Sequence, residues 1–156
     1  MRKLNLPEYT FNIRLNEGKE YLFDPVRKKE VRLTPEEWVR QSFIMYLHHE
    51  KDYPLSLMQV EKEFTWNGRS WRSDLLVFSP AAEPRMIVEC KAPEVKLDNA
   101  VFEQIARYNI KYHVPYLVVT NGLVHYCCRM DYAGNTYHFL REIPGYSLLI
   151  QEEASS

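Results

Sequence analysis

Asp74, Glu89 and Lys91 are the residues of this 156-residue chain whose types and spacing could do chemistry. Two carboxylates held close together repel, and each loses hydration beside an apolar sheet. A divalent cation removes that conflict, because Mg²⁺ takes one or two carboxylates and completes its shell with waters and phosphate oxygens. A lysine two positions from one acid adds a movable cation that can orient an attacking water or steady a crowded phosphate. The chemistry suggested is metal-assisted hydrolysis of a phosphate ester. For an isolated Glu-x-Lys, a structural Asp–Lys salt bridge at a strand end is the plainer reading. The surrounding elements decide between the two.

Leu75–Phe78 and Met86–Val88 are short apolar runs of strand-favouring residues, separated by Ser79-Pro80-Ala81-Ala82-Glu83-Pro84. An antiparallel pair turning near Ala81 and Ala82 places Asp74 across from the segment Glu89–Lys91 by counting alone. Side chains alternate along a strand, so Glu89 and Lys91 share one face and Cys90 points to the other. Three ionisable groups therefore meet at one end of two otherwise apolar strands.

Asp74…Glu89-Cys90-Lys91 resembles the D…(D/E)-x-K signature of the PD-(D/E)xK nuclease superfamily. More narrowly, the span from about Thr34 to Tyr126 is similar to the N-terminal nuclease domain of type I restriction enzyme R subunits. The pieces that carry the likeness are TPEEWVRQ, WRSDLLVF, IVECKAP, VFEQIARYN and PYLVVTNG, in that order. The departure is Ser73, which precedes Asp74 where the signature has proline.

The resemblance implies a restriction-endonuclease-like α/β fold and Mg²⁺-dependent cleavage of DNA, with Mn²⁺ as a substitute. Asp74 and Glu89 would hold one or two ions, the Cys90 carbonyl would be a further ligand, and Lys91 would direct the attacking water. In Glu37-Trp38-Val39-Arg40 it makes Glu37 the helix-borne acid that completes the site through water. A capping-box glutamate turned back on Thr34 is the competing reading of Glu37, and Glu36 is the alternate acid. Gln104-x-x-x-Tyr108 is similar to the Q-x-x-x-Y element of RecB-like members, which lies beside the catalytic cluster and helps bind DNA. By itself such a pair more often marks the edge of a core.

The totals fit one soluble domain over 1–156. Apolar content is 46% and formal charge −1, so DNA affinity must come from a local patch or a partner. No apolar run reaches membrane-spanning length and the start MRKLNLPEY lacks a signal peptide's apolar core, which predicts a cytoplasmic protein without a membrane partner. Cys90, Cys127 and Cys128 lack zinc-type spacing and read as reduced, structural thiols.

A nuclease-like core is expected over about 34–130, with a hairpin extension over 1–33, a C-terminal strand within 131–150 and a loose tail over 151–156. Tyr9–Leu15 and Glu20–Phe23 could pair through Asn16-Glu17-Gly18. Arg27-Lys28-Lys29 with Arg32 is the densest basic cluster, either a solvated turn or a contact to phosphates. Thr34-Pro35-Glu36-Glu37 starts a helix whose apolar face is Val39, Phe43, Tyr46 and Leu47. His48 and His49 suit its C-terminal dipole.

Met58–Trp66 should pair with Arg69–Phe78 through Asn67-Gly68. Glu61 and Glu63 on that strand could reach the acids but are more usually solvent-facing. Arg69 and Arg72, flanking Trp71, are candidate substrate-phosphate contacts, a pattern that packing alone also produces. A second helix from Asp98 to about His113 should carry the stripe Val101, Ile105, Tyr108 and Tyr112. PYLVVT reads as a central strand buried on both faces, and Val124–Met130 as its return.

The expected architecture is a mixed sheet of five or more strands with the Glu37 and Gln104 helices against it. The expected function is a DNA nuclease that works with a separate motor or specificity protein. The competing class is a catalytically silent nuclease-fold module that binds DNA or a protein. Oligomeric state is not legible.

Overall fold

The computed structural model describes residues 1–60, 64–66, 68–71 and 73–151, with 64–66 and 69–71 as backbone only. The chain opens with a small antiparallel sheet of three strands, β1 (Ile13–Asn16), β2 (Lys19–Asp24) and β3 (Lys29–Arg32). Glu17 and Gly18 both take positive φ, the turn that joins β1 to β2. Thr34 then caps α1 (Pro35–Lys51), its hydroxyl oxygen accepting the Glu37 N–H at 3.1 Å, with proline at the first helical position.

A second sheet forms the body. After α1 come β4 (Met58–Val60), the two-stranded ribbon β5 (Phe64–Trp66) and β6 (Arg69–Trp71), then β7 (Leu75–Phe78) and β8 (Pro84–Cys90). Met58–Val60 pairs with Leu75–Val77, and Phe64–Trp66 with Arg69–Trp71; Asn67 of the expected turn lies outside the described residues. The helix α2 (Asn99–Asn109) carries the chain over to β9 (Tyr116–Thr120). Next come β10 (His125–Asp131), β11 (Thr136–Leu140) and a short α3 (Tyr146–Gln151).

The six-stranded order is β11-β10-β9-β8-β7-β4, with β8 and β9 parallel and the other neighbours antiparallel. This is the mixed α/β sheet that the sequence leads one to expect. Every residue of β9 is buried, as its unbroken apolar run requires.

Period-two alternation sorts the two cores. Leu75, Val77, Met86, Val88 and Cys90 face α1, whose Val39, Phe43, Ile44 and Leu47 are fully buried against them. Leu76, Ile87, Leu117 and Val119 face α2 through Phe102 and Ala106. One expectation needs correction here. Of the expected α2 stripe, Tyr112 is buried and Val101 and Ile105 are half-buried against the same cluster, but Tyr108 is exposed. The deepest row is Phe102, Ala106 and Asn109, one position along, with the Phe102 ring against Tyr126 and Tyr137. Asp131 ends β10 and strand resumes over Thr136–Leu140. Tyr146 and Leu149 stand three apart and bury one helical face, which makes the short α3.

Candidate functional site

Leu75 pairs with Val88, so Asp74 stands one step beyond, opposite Glu89. The turn that sets this register is closed by Ser79 N–H to Glu83 O and Ala82 N–H to Ser79 O, both 2.9 Å, with Ala82 at φ 62°. Asp74 Oδ2 accepts the Cys90 N–H at 2.8 Å, which ties the aspartate to the neighbouring strand. Its other oxygen, Oδ1, lies 3.4 Å from Arg40 Nη2 of α1.

Glu89 lies close enough to Asp74 to share a hydrogen bond. Its pKa is pushed up to about 8, first by burial, then by the Asp74 charge and that hydrogen bond, while Lys91 pulls it back and Glu36 adds a smaller upward push. Glu89 therefore favours its protonated form beside Asp74 when nothing else neutralises the two acids. The Cys90 thiol is buried on the α1 side, and burial followed by the Asp74 charge raises its pKa well above the usual thiol range. It is a packing group, not a nucleophile.

Lys91 is partly exposed, and its main-chain N–H is held by Thr120 O at 2.8 Å across the parallel pair. Asn121, at the end of β9, donates from Nδ2 to Val95 O at 2.8 Å and so pins the loop that leaves Lys91. Acids and lysine thus gather where β8 and β9 end and β7 begins.

Glu37 does not fold back onto Thr34. Its carboxylate is held by Arg27 on one oxygen and on the other by Arg40 Nη1 at 2.9 Å and Gln41 Nε2 at 3.3 Å. Glu36 is the more exposed acid of that turn and lies 3.4 Å from Arg40 Nη2. Arg40 was not singled out from sequence, because an arginine in E-x-x-R on a helix reads as a surface pair. Its burial behind Asp74 becomes visible only when α1 is placed on the sheet.

Gln104 and Tyr108 lie exposed on α2, the helix covering the Glu89 side of the sheet. Tyr108 is packed by Lys111, whose ammonium sits 4.2 Å from its ring centroid, and by the Tyr112 edge. Neither residue makes a contact to the acid pair. Arg72, Glu61 and Glu63 fall outside the described residues. Of the basic cluster, Arg27 is committed to Asp24 and Glu37, whereas Lys29 and Arg32 are exposed on β3.

The donor set fits a hard cation. Two carboxylates beside a main-chain carbonyl suit Mg²⁺, which keeps several waters. Among the described residues no group of three or more His, Cys, Asp or Glu side chains is placed to hold a metal ion. Among them, too, no helix is long and apolar enough to cross a membrane.

Residues 35–144 match the family described as "Type I restriction enzyme R protein N terminus (HSDR_N)". Among solved structures, a fragment of an HsdR subunit of a type I restriction enzyme from Vibrio vulnificus YJ016 is similar, with TM-score 0.55 at 18% identity. The likeness covers 79% of this chain and 26% of that one, so the chain spans about a quarter of that relative's length. No curated protein matches.

Proposed function

The chain belongs to the type I restriction enzyme R protein N-terminal family, and from that premise we propose that it is a metal-dependent nuclease domain that hydrolyses phosphodiester bonds in DNA. The observation that carries this reading is the Asp74–Glu89 pair, two carboxyl groups set opposite each other by the pairing of β7 with β8, with Lys91 just past the strand's end. Such a pair is costly to bury and is relieved by a divalent ion.

Asp74, Glu89 and the Cys90 carbonyl would hold Mg²⁺, or Mn²⁺ in its place. The ion, when bound, supplies a lowered water pKa and positive charge for the phosphate oxygens. The chain's own groups do the rest. Lys91 orients the attacking water and faces the charge that builds on the phosphate. Glu37 acts from behind the acids by holding Arg40, which in turn faces Asp74. Gln104 and Tyr108 offer an exposed amide and ring to the DNA strand, and Arg72 a phosphate contact. A separate motor or specificity protein, as suits the type I restriction enzyme R protein N-terminal family, belongs to the proposal.

One observation favours a second reading. Arg40 stands 3.4 Å from Asp74, so arginine and a shared proton can balance the acids without any ion. A silent nuclease-fold module binding DNA or a protein partner would look the same. Digestion of plasmid and linear DNA with Mg²⁺, Mn²⁺ or EDTA separates the two, run alongside calorimetric titration with Mn²⁺. The nuclease reading expects cutting that EDTA stops and saturable Mn²⁺ binding, both lost in Asp74→Asn. No cutting under any of these conditions together with no saturable Mn²⁺ binding would leave only the silent module.

A further inference from the structure

Behind the acid pair lies a buried row of alternating charges that begins in the other sheet. Asp24, at the end of β2, is 0% exposed. Its Oδ1 accepts the N–H groups of Val26 at 2.7 Å and Arg27 at 3.0 Å, and its Oδ2 accepts Arg27 Nε at 2.5 Å. Arg27 is thereby fixed with its guanidinium on Glu37. Glu37 passes the row to Arg40, and Arg40 to Asp74. Glu37 and Arg40 are 6% and 2% exposed. Asp24 and Arg27 precede the span 35–144 that the family match covers.

Arg40 stands among three carboxylates, Glu37 at 2.9 Å and Glu36 and Asp74 each at 3.4 Å. How much of its charge reaches Asp74 depends on how well Glu37 is satisfied elsewhere, and Arg27 is what satisfies it. Buried charges of this kind respond strongly to the loss of one partner, because little water is present to compensate. We propose that Arg27 is a positioning residue for the acid pair: by binding Glu37 it leaves Arg40 turned to Asp74, and the N-terminal sheet thereby sets how strongly the pair attracts a cation. The inference rests on the reading of Asp74 and Glu89 as a cation site. Without Arg27, Glu37 draws the Arg40 guanidinium to itself, Asp74 loses part of its neutralisation, and a divalent cation binds tighter. If the row served only to fasten the small sheet to α1, losing Arg27 would lower the melting temperature and leave the acids unchanged.

The test compares wild type, Arg27→Met, Arg40→Met and the double variant at one pH. It uses Mn²⁺ calorimetry and, in metal-free protein, the ¹⁵N–¹H resonance of the Cys90 amide that Asp74 accepts. Arg40→Met should tighten Mn²⁺ binding roughly tenfold, with Arg27→Met moving it the same way by less. The double variant should match Arg40→Met alone, because Arg27 acts through Arg40. The Cys90 amide should shift in Arg27→Met although the two residues do not touch. A folded Arg27→Met with wild-type affinity and an unmoved Cys90 amide overturns the proposal, as do effects that simply add in the double variant. Should wild type take up no Mn²⁺, the cation-site reading fails and the amide alone decides the relay: a shift in Arg27→Met supports it, no shift overturns it. If Arg27→Met does not fold, Asp24→Asn loosens the same guanidinium while keeping an oxygen for the turn.

Discussion

Asp74 accepts the main-chain N–H of Cys90 at 2.8 Å, and this bond fixes one acid to the strand that carries the other acid and the lysine. A carboxylate held by the backbone cannot swing away to relieve repulsion from Glu89. The strain of the pair is therefore expressed as proton uptake, with consequences for stability and for cation binding.

Glu89 makes the metal-free protein less stable as pH rises. Its carboxyl keeps a proton in the fold up to about 8, whereas the unfolded chain releases it near the ordinary 4.5. The folded state thus binds more protons across that window. The contribution is full below the lower value and is lost as pH climbs through the upper one. An effect on the order of 2 kcal/mol is expected once solvent screening is allowed for. Burial lowers the pKa of His125, which gives a change of opposite sign at the acid end. The quantity to measure is therefore the stability difference between wild type and Glu89→Gln in urea melts at pH 5 to 8.5. Parallel curves for the two proteins would contradict the shared proton.

Gly122 follows the end of β9 at φ +85°, and a Cβ there would meet Leu4 Cδ2 at 2.7 Å. The Thr120 hydroxyl accepts its N–H at 2.9 Å, so the turn cannot easily relax. Gly122→Ala should cost about 1–3 kcal/mol, read as a lower midpoint in chemical denaturation. Because Thr120 and Asn121 steady the backbone around Lys91, cation affinity should also weaken slightly. A variant as stable as wild type would show that Leu4 and the turn yield without strain.

How much of this was legible beforehand follows from what each signal depends on. Opposition of Asp74 and Glu89 could be counted because hairpin register is local: one turn between two short strands settles it. The caps at Thr34 and Asp98 and the turn at 17–18 are local too, and the chain uses them as written. The α2 face slipped by one residue because Ile105 and Tyr108 are as apolar as Phe102 and Ala106, and only the sheet beneath decides which row goes in. The partners of Glu37 and Arg40 were illegible for a stronger reason. Their environment is assembled from β2, α1 and the start of β7, up to fifty residues apart in sequence, and no local pattern marks a buried ion row.

Tyr108 is 51% exposed and leans on Lys111 and Tyr112 rather than on the sheet. Tyr108→Ala should therefore leave the melting temperature within a degree or two while weakening binding of single-stranded DNA, since a ring stacked on a base contributes about 1–3 kcal/mol. Fluorescence anisotropy with a labelled oligonucleotide reads the affinity directly. A loss of stability with unchanged DNA affinity would assign the ring to packing and take it out of the site.

Lys91→Ala gives the sharpest separation of chemistry from architecture. The main-chain N–H of residue 91 bonds Thr120 O at 2.8 Å whatever the side chain, so strand pairing and fold should survive. The carboxyl pair also survives, and Mn²⁺ should still bind, with the lysine's repulsion towards an incoming cation removed. Cleavage should nevertheless fall by at least about 100-fold, because no other described side chain supplies a cation directly beside Glu89 to orient water and face the phosphate. Removing Lys91 also takes away the one charge that pulls the Glu89 pKa down among those acting on it. Any residual activity should then require higher pH than wild type, since the pair must shed its proton before an ion can settle. A folded, Mn²⁺-binding Lys91→Ala protein that cuts DNA at the wild-type rate would show that the lysine only balances charge at a strand end.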